Sequence, residues 1–315
     1  MEYNRLVSDM DVGDEVEGFY VLKNALIKTS SAGKPFLTGF ISDKSGDMEL
    51  KVWDYPGPIG GGDDGKVVKI RGVVSEYRGS LQITISRIRL ATEGDNYDPT
   101  RLVPTAPIHR EGEMDYIRTL VATIADPDYL AVAEEELRRH QAALALIPAA
   151  KSVHHGFLSG LLMHTANMLR CADFLAGLYG DVIDRSLLLT GTLLHDLAKE
   201  REFAFSELGI VTDYSVKGQL LGHLVMGAQE AAEVCREMGV PEEKSVLLQH
   251  MILSHHGEPE FGAAVRPQCA EAELLHHIDS IDSRMEIYRE VFQEVPAGEF
   301  SQRIFALDRK IYHHE

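Results

Sequence analysis

The sequence predicts a multidomain chain of mixed α and β class, with a small β-barrel followed by an all-α domain. Two observations carry this. Residues 1–92 hold short β-branched or alternating runs and no histidine. From Met114 onward apolar residues recur at i, i+3 and i+4 instead, and ten of the 14 histidines fall between His154 and His277. Residues 93–113 join the two, with three prolines and no apolar periodicity, so the expected boundaries are 1–92, a linker 93–113, and 114–315.

The strands come first. The runs Glu15–Thr29, Lys34–Ser42, Asp47–Asp54, Lys66–Tyr77 and Ser80–Ala91 are separated by the turn signals SAGK, DKSGD and YRGS and by a glycine-rich stretch before Val67. Five such strands in a segment this short suit a closed barrel, with the OB-fold as first choice. The stretch GGGDDGKV superficially has the spacing of a phosphate-cradling loop. Val67 stands where that motif needs Ser or Thr, and Asp63 and Asp64 would repel phosphate, so it is expected to be a plain connecting loop.

The helices follow. Apolar periodicity predicts them over Ile117–Ile124, Tyr129–Ile147, Gly160–Tyr179, Ser186–Glu200, Leu220–Met238, Glu243–His256 and Ala270–Phe292. Stops fall at Gly180, at Gly239 with Pro241, and at Gly257 with Pro259.

Composition excludes several classes. The 315 residues are 44% hydrophobic and 25% charged, which is ordinary for a packed globular chain. A net charge of −18 argues against coating nucleic acid or an anionic membrane by bulk electrostatics. Residues 1–100 carry 12 basic and 16 acidic side chains against 19 and 33 in the rest, so the barrel is the less repulsive surface for a polyanion. Cys171, Cys235 and Cys269 are far apart and odd in number, which fits a reducing cytoplasm. The N-terminus has no signal-peptide pattern and no apolar run is long enough to span a bilayer, so no membrane association is expected.

The strongest chemical signal is His195-Asp196 within LLTGTLLHDLAKE. An isolated dipeptide means little. Here His164 precedes it, His223, His255-His256 and Asp279 follow, and each sits in an apolar helical segment. Several imidazoles and carboxylates on inward helix faces need a shared partner, and a divalent metal centre supplies one. Mixed N and O ligands without a thiol suit Mn²⁺, Fe²⁺, Co²⁺ or Zn²⁺.

The order of these residues resembles the HD superfamily of metal-dependent phosphohydrolases. The blocks IPAAKSVHHGFLSGLLMHT, LLHDLAKE, GQLLGHLVMG, LLQHMILSHHGEPEFG and EAELLHHIDSIDSRM are similar, one by one, to the YhaM-type 3′→5′ exoribonucleases, which join an N-terminal OB-fold to a C-terminal HD domain. The resemblance implies two divalent ions, Mn²⁺ foremost with Co²⁺, Fe²⁺, Mg²⁺ or Zn²⁺ as alternatives. It places His164, His195, Asp196 and Asp279 around one ion, and His223 and His255 around the other with His256 beside them. Asp196 can serve both because a carboxylate has two oxygens. Such a pair of ions can clamp both oxygens of an in-line phosphoryl displacement. Lys199, three residues past Asp196 on the same side, would steady charge at the attacked phosphate. His154 and His155 would belong to the site rim. Arg266 follows Gly262-Ala263-Ala264-Val265, where the family carries a Gly-Ser-Pro-Lys-like stretch, and would replace the lysine's charge. His276 and His277 flank Asp279, and one of them would orient a ligand.

In the barrel, aromatic and basic residues interleave. Phe36, Phe40 and Trp53 fit either barrel filling or base stacking, while Tyr77 and Arg78, in a turn, are the better candidates for a substrate surface. The implied activity is exonucleolytic hydrolysis of single-stranded RNA, with single-stranded DNA as a second substrate, to nucleoside monophosphates. Two other readings stay open from the residues alone: a small-nucleotide phosphohydrolase, and a non-enzymatic nucleic-acid-binding regulator. The sequence also leaves open a homo-oligomer.

Overall fold

The structure is a computed structural model that describes residues 2–150, 156–206 and 208–315. It divides into two compact units, Met1–Thr105 with Ser206–Leu208, and Ala106–Phe205 with Gly209–Glu315.

In the first unit five strands, β1 (Glu15–Thr29), β2 (Pro35–Asp43), β3 (Gly46–Val52), β4 (Val67–Tyr77) and β5 (Ser80–Leu90), close in the order β1-β2-β3-β5-β4-β1. Among these five β3 and β5 pair in parallel, and the short strand Glu2–Tyr3 adds in parallel to β1. This is the OB-fold. Closure leaves none of the five with a free edge. The long β1 serves two neighbours, pairing with β4 through Glu15–Val21 and with β2 through Val21–Thr29. A bulge between Lys23 and Leu26 makes the bend. Gly39 lies against that bulge, where a Cβ would stand 2.8 Å from the Lys23 carbonyl oxygen. Alternate residues turn inward, so Val16, Tyr20, Leu22, Leu37, Ile41, Leu50, Val68, Ile70 and Ile83 fill the barrel. Phe40 and Trp53 do not: both are exposed, and the Trp53 ring lies 4.9 Å from that of Phe36. The glycine-rich loop is held by Asp63, which accepts from the Gly60 amide and pairs with Lys66.

The second unit is a helical domain of α1 (Arg110–Val121), α2 (Pro127–Leu144), α3 (Gly160–Leu178), α4 (Arg185–Leu194), α5 (Val216–Met238), α6 (Glu242–Ser254) and α7 (Ala270–Glu294). Asp126, Asp184 and Ser215 cap α2, α4 and α5 by accepting first-turn amides. The apolar stripes meet in one core that includes Ile117, Val132, Leu144, Leu162, Leu188, Leu248 and Ile278. Two local features depart from the expected helices. The stretch predicted as helix over 186–200 stops at Leu194, and a separate single turn spans Lys199–Glu202. A hairpin of β6 (Phe203–Phe205) and β7 (Val211–Tyr214) then precedes α5. Its strands are too short to show a two-residue period, and Phe203 and Tyr214 hold it together across 5.5 Å. Among the described residues no helix is long and apolar enough to cross a membrane.

Candidate metal centre

Five helices converge at one point in the helical unit, and three of them end or break there. His164 is in the first turns of α3, and Asp279 lies on α7. His195 and His255 are the residues at which α4 and α6 terminate, so Asp196 and His256 sit in the turns just beyond. Gly222 interrupts α5 at φ 71°, ψ 162°, a conformation close to glycine-only, and this break precedes His223. Helix ends and a break explain how neighbouring residues reach one cavity, which a continuous helix would forbid.

The side chains converge on Asp196. Its Oδ2 lies 3.3 Å from His195 Nε2 and 3.7 Å from His164 Nε2, which is itself 3.3 Å from His195 Nε2 and 3.4 Å from Asp279 Oδ1. Its Oδ1 lies 3.4 Å from His223 Nε2 and 3.7 Å from His255 Nε2. The His256 ring stands 4.4 Å from that of His255 and 5.2 Å from that of His223. Two ligand-spaced groups result, His164, His195 and Asp196 on one side and His223, His255 and His256 on the other.

Four of the imidazoles are steered from behind. His164 Nδ1–H donates to Asp282 Oδ2 at 2.7 Å, and Asn167 holds the other Asp282 oxygen. His195 and His255 donate to the carbonyls three residues earlier, Thr192 and Ile252. His223 is fixed twice by Glu202 Oε1, which accepts both its amide and its Nδ1–H at 2.9 Å. With Nδ1 so occupied, the four Nε2 atoms face Asp196, the arrangement in which outer hydrogen bonds orient metal-ligating imidazoles. Asp282 and Glu202 were not singled out by sequence reasoning. Their signals were Asp282 one helical turn past Asp279 and a glutamate inside AKERE.

The electrostatics favour a cation. Asp196 Oδ1, His223 Nε2 and His256 Nδ1 are buried without a hydrogen-bond partner, three of only five such side-chain atoms among the described residues. Orphaned polar atoms are costly, so their concentration here requires a missing partner that accepts lone pairs from nitrogen and oxygen alike. Burial, with the His195 and His256 rings packed close by, holds His255 well below the ordinary imidazole range. Burial and His223 bring His256 down to about 4. Both therefore stay neutral and able to coordinate near neutral pH. Burial works against the Asp196 carboxylate, but Lys199 and His195 outweigh it and keep it ionised. A divalent metal fits this donor set.

The cleft above the cluster is lined by Lys199, Phe261, His276, Ser280, Arg284 and Leu307 as well as by His164, Asp196, His255, His256 and Asp279. Lys199 Nζ is 2.7 Å from Asp196 Oδ2, and burial is overcome by that carboxylate so that the ammonium keeps its proton. His276 donates from Nδ1 to the His255 carbonyl, whereas His277 is exposed beside Glu273. Arg266 is not brought to the cleft; it is exposed and paired with Glu258 at 2.7 Å. His154 and His155 lie outside the described residues. In the barrel, Tyr77 is 50% exposed, with the Arg78 guanidinium 5.2 Å and the Lys51 ammonium 5.5 Å from its ring centre.

Asp282→Asn is expected to lower divalent-metal affinity about 10- to 100-fold by weakening the hold on His164. Chelator-competition titration measures the loss. Activity should return at saturating metal; a variant with unchanged affinity would show that His164 needs no such support.

Residues 161–284 match the model of the HD domain family. The 3′-5′ exoribonuclease YhaM of Bacillus subtilis (strain 168) is 35% identical over 308 residues, which is 96% of this chain and 96% of that protein. The 3′-5′ exoribonuclease YhaM of Halalkalibacterium halodurans is 37% identical over 303 residues, 96% of this chain and 93% of that protein. Among solved structures, the second OB-fold domain of replication protein A from Methanococcus maripaludis covers 31% of this chain and all of its own length, at 13% identity and a TM-score of 0.23. With both halves of the chain inside full-length matches, this protein belongs to the YhaM 3′-5′ exoribonuclease family.

Proposed function

We propose that this chain is a metal-dependent exonuclease that shortens single-stranded RNA from its 3′ end, and single-stranded DNA as a second substrate, releasing nucleoside monophosphates. The observation that carries the reading is the division of ligands across Asp196, with His164 and His195 toward one oxygen and His223 and His255 toward the other. In this reading His164, His195, Asp196 and Asp279 would hold one ion, and His223, His255 and His256, with Asp196, would hold the second. Two divalent ions held there would supply Lewis-acid charge at the scissile phosphodiester and lower the pKa of a nearby water. Mn²⁺ is the first choice among Mn²⁺, Co²⁺, Fe²⁺, Mg²⁺ and Zn²⁺.

The protein's own groups do the rest. Asp196 sets the spacing between the two ligand groups. Lys199 keeps its proton in the cleft wall and stabilises charge that grows on the phosphate oxygens. Arg284, which also lines the cleft, faces the same anion. The barrel unit holds the strand, with Tyr77 offering a ring face and Arg78 and Lys51 offering cations to the backbone.

Purified protein with Mn²⁺, incubated with 5′-labelled single-stranded RNA and separately with a panel of mononucleotides, tests this. A ladder that shortens from the 3′ end is the expected result. Turnover of mononucleotides alone would assign a small-nucleotide phosphohydrolase, and binding without turnover a regulator. Lys199→Ala should keep its metal while kcat falls about 10²- to 10³-fold, as when one transition-state donor is removed. Metal analysis and single-turnover kinetics on one preparation check both halves of that expectation; metal loss would make Lys199 a structural residue.

A further inference from the structure

A second cluster of metal-ligating side chains lies in the helical unit outside the cleft. Glu136 and His140, one turn apart on α2, are 2% and 5% exposed, and with Glu230 on α5 they bring their ligand atoms within coordination spacing of one another. His140 Nε2 is 3.1 Å from Glu230 Oε1 and 3.5 Å from Glu136 Oε2. Its Nδ1 is 2.7 Å from Glu200 Oε2, on the single turn that also carries Lys199. None of these four residues lines the catalytic cleft.

The difficulty is one of valence. Two carboxylates converge on one ring nitrogen, and a single N–H makes one good hydrogen bond. Glu230 has the better geometry, and among the described residues the approach of the buried Glu136 carboxyl to the same nitrogen is the longer one, 3.5 Å. The cationic neighbours do not resolve this. Arg201 is paired with the other oxygen of Glu230, and Arg139 with Glu135 and Glu237. A divalent ion would satisfy Glu136, Glu230 and Nε2 together.

Two comparisons within the molecule support this. The spacings of 3.1 and 3.5 Å are comparable to the 3.3 to 3.7 Å between Asp196 oxygens and the facing imidazole nitrogens. They also suit ligands each about 2.0–2.2 Å from a tetrahedral ion. The Nδ1-to-carboxylate bond from His140 to Glu200 repeats His164 to Asp282 and His223 to Glu202. We propose that Glu136, His140 and Glu230 form a third divalent-cation site, structural rather than catalytic, with Glu200 orienting the imidazole. Its donor set of two carboxylates and one imidazole takes Mn²⁺, Fe²⁺ or Zn²⁺. The site ties α2 and α5 to the turn bearing Lys199 and Glu202. Without the ion His140 holds a proton: burial opposes it, but hydrogen bonds to Glu136, Glu200 and Glu230 prevail and lift its pKa to about 11. The ion therefore enters by displacing a proton.

The test uses full-length protein in an Asp196→Asn background, which weakens the catalytic centre whatever its substrate is. Protein stripped with chelator is reloaded with Mn²⁺, desalted and counted by inductively coupled plasma mass spectrometry. Adding Glu136→Gln, a nearly isosteric change, should remove one equivalent of Mn²⁺ from that background and abolish the Mn²⁺-induced rise in thermal midpoint that goes with it. His140→Gln should do the same, and Glu230→Gln replaces either variant if circular dichroism shows that it fails to fold. Equal metal counts in the background and the double variants would overturn the proposal. So would a midpoint lowered by the same amount with and without Mn²⁺, which would make the cluster a protonated ion-pair network.

Discussion

Asp196→Ala is expected to reduce hydrolysis of single-stranded RNA to below about a thousandth of the parent rate, because one residue is removed from both ligand groups at once. The two oxygens of Asp196 face different histidine pairs, and among the described residues no nearby carboxylate is placed to substitute: Asp279 approaches His164, and Asp282 is already engaged from behind. Bound metal should fall with the rate. The alanine variant also leaves the Lys199 ammonium buried without its partner, so Asp196→Asn belongs beside it, retaining a carbonyl for Lys199. Circular dichroism, metal analysis and activity measured on the same preparations distinguish the outcomes. Full activity with normal metal content in the asparagine variant would remove Asp196 from the centre.

The second large effect concerns the barrel. A chain starting at Ala106 should keep the metal centre, since all the ligands lie beyond that point, and should still cleave a small phosphodiester such as bis-p-nitrophenyl phosphate. The structure moves the cut from the predicted start of the helical domain at Met114, because Met114 is buried inside α1 and the Ala106 amide bonds to the Leu158 carbonyl. Affinity for long single strands should drop sharply, by roughly 1–3 kcal/mol for each base that loses a stacking ring. The log–log salt slope of strand binding should flatten by about 0.7 for each lost phosphate contact. Equal affinity and equal slope with and without residues 1–105 would transfer strand holding to the helical domain.

Much of this architecture was legible in the sequence. The five strands could be read because alternation and turn signals agree, and the helical domain because its apolar stripes are long. The end of α4 was hidden, since Leu197 and Ala198 are as buried as the helix before them and so prolong the apolar pattern past the break. The exposure of Phe40 and Trp53 was equally invisible, because a ring on a strand reads the same on either face until the register is known. Within the site, the histidine and aspartate set stood out by its clustering. Which oxygen of Asp196 each histidine faces, and the support from Asp282 and Glu202, depends on how α3, α5 and α7 pack, which spacing does not encode.

The termination of α4 at His195 and of α6 at His255 has an electrical consequence. A helix carries the equivalent of roughly half a negative charge at its C-terminus, where carbonyl groups lack amide partners. Two such termini open onto the same cleft as Asp196 and Asp279, and the Thr192 and Ile252 carbonyls of those last turns polarise the imidazoles that face it. The backbone itself thus adds to the cathodic field at the centre, and does so independently of pH because peptide dipoles do not titrate. A substitution that removed every acidic side chain from the cleft would still leave this part of the preference for divalent cations in place.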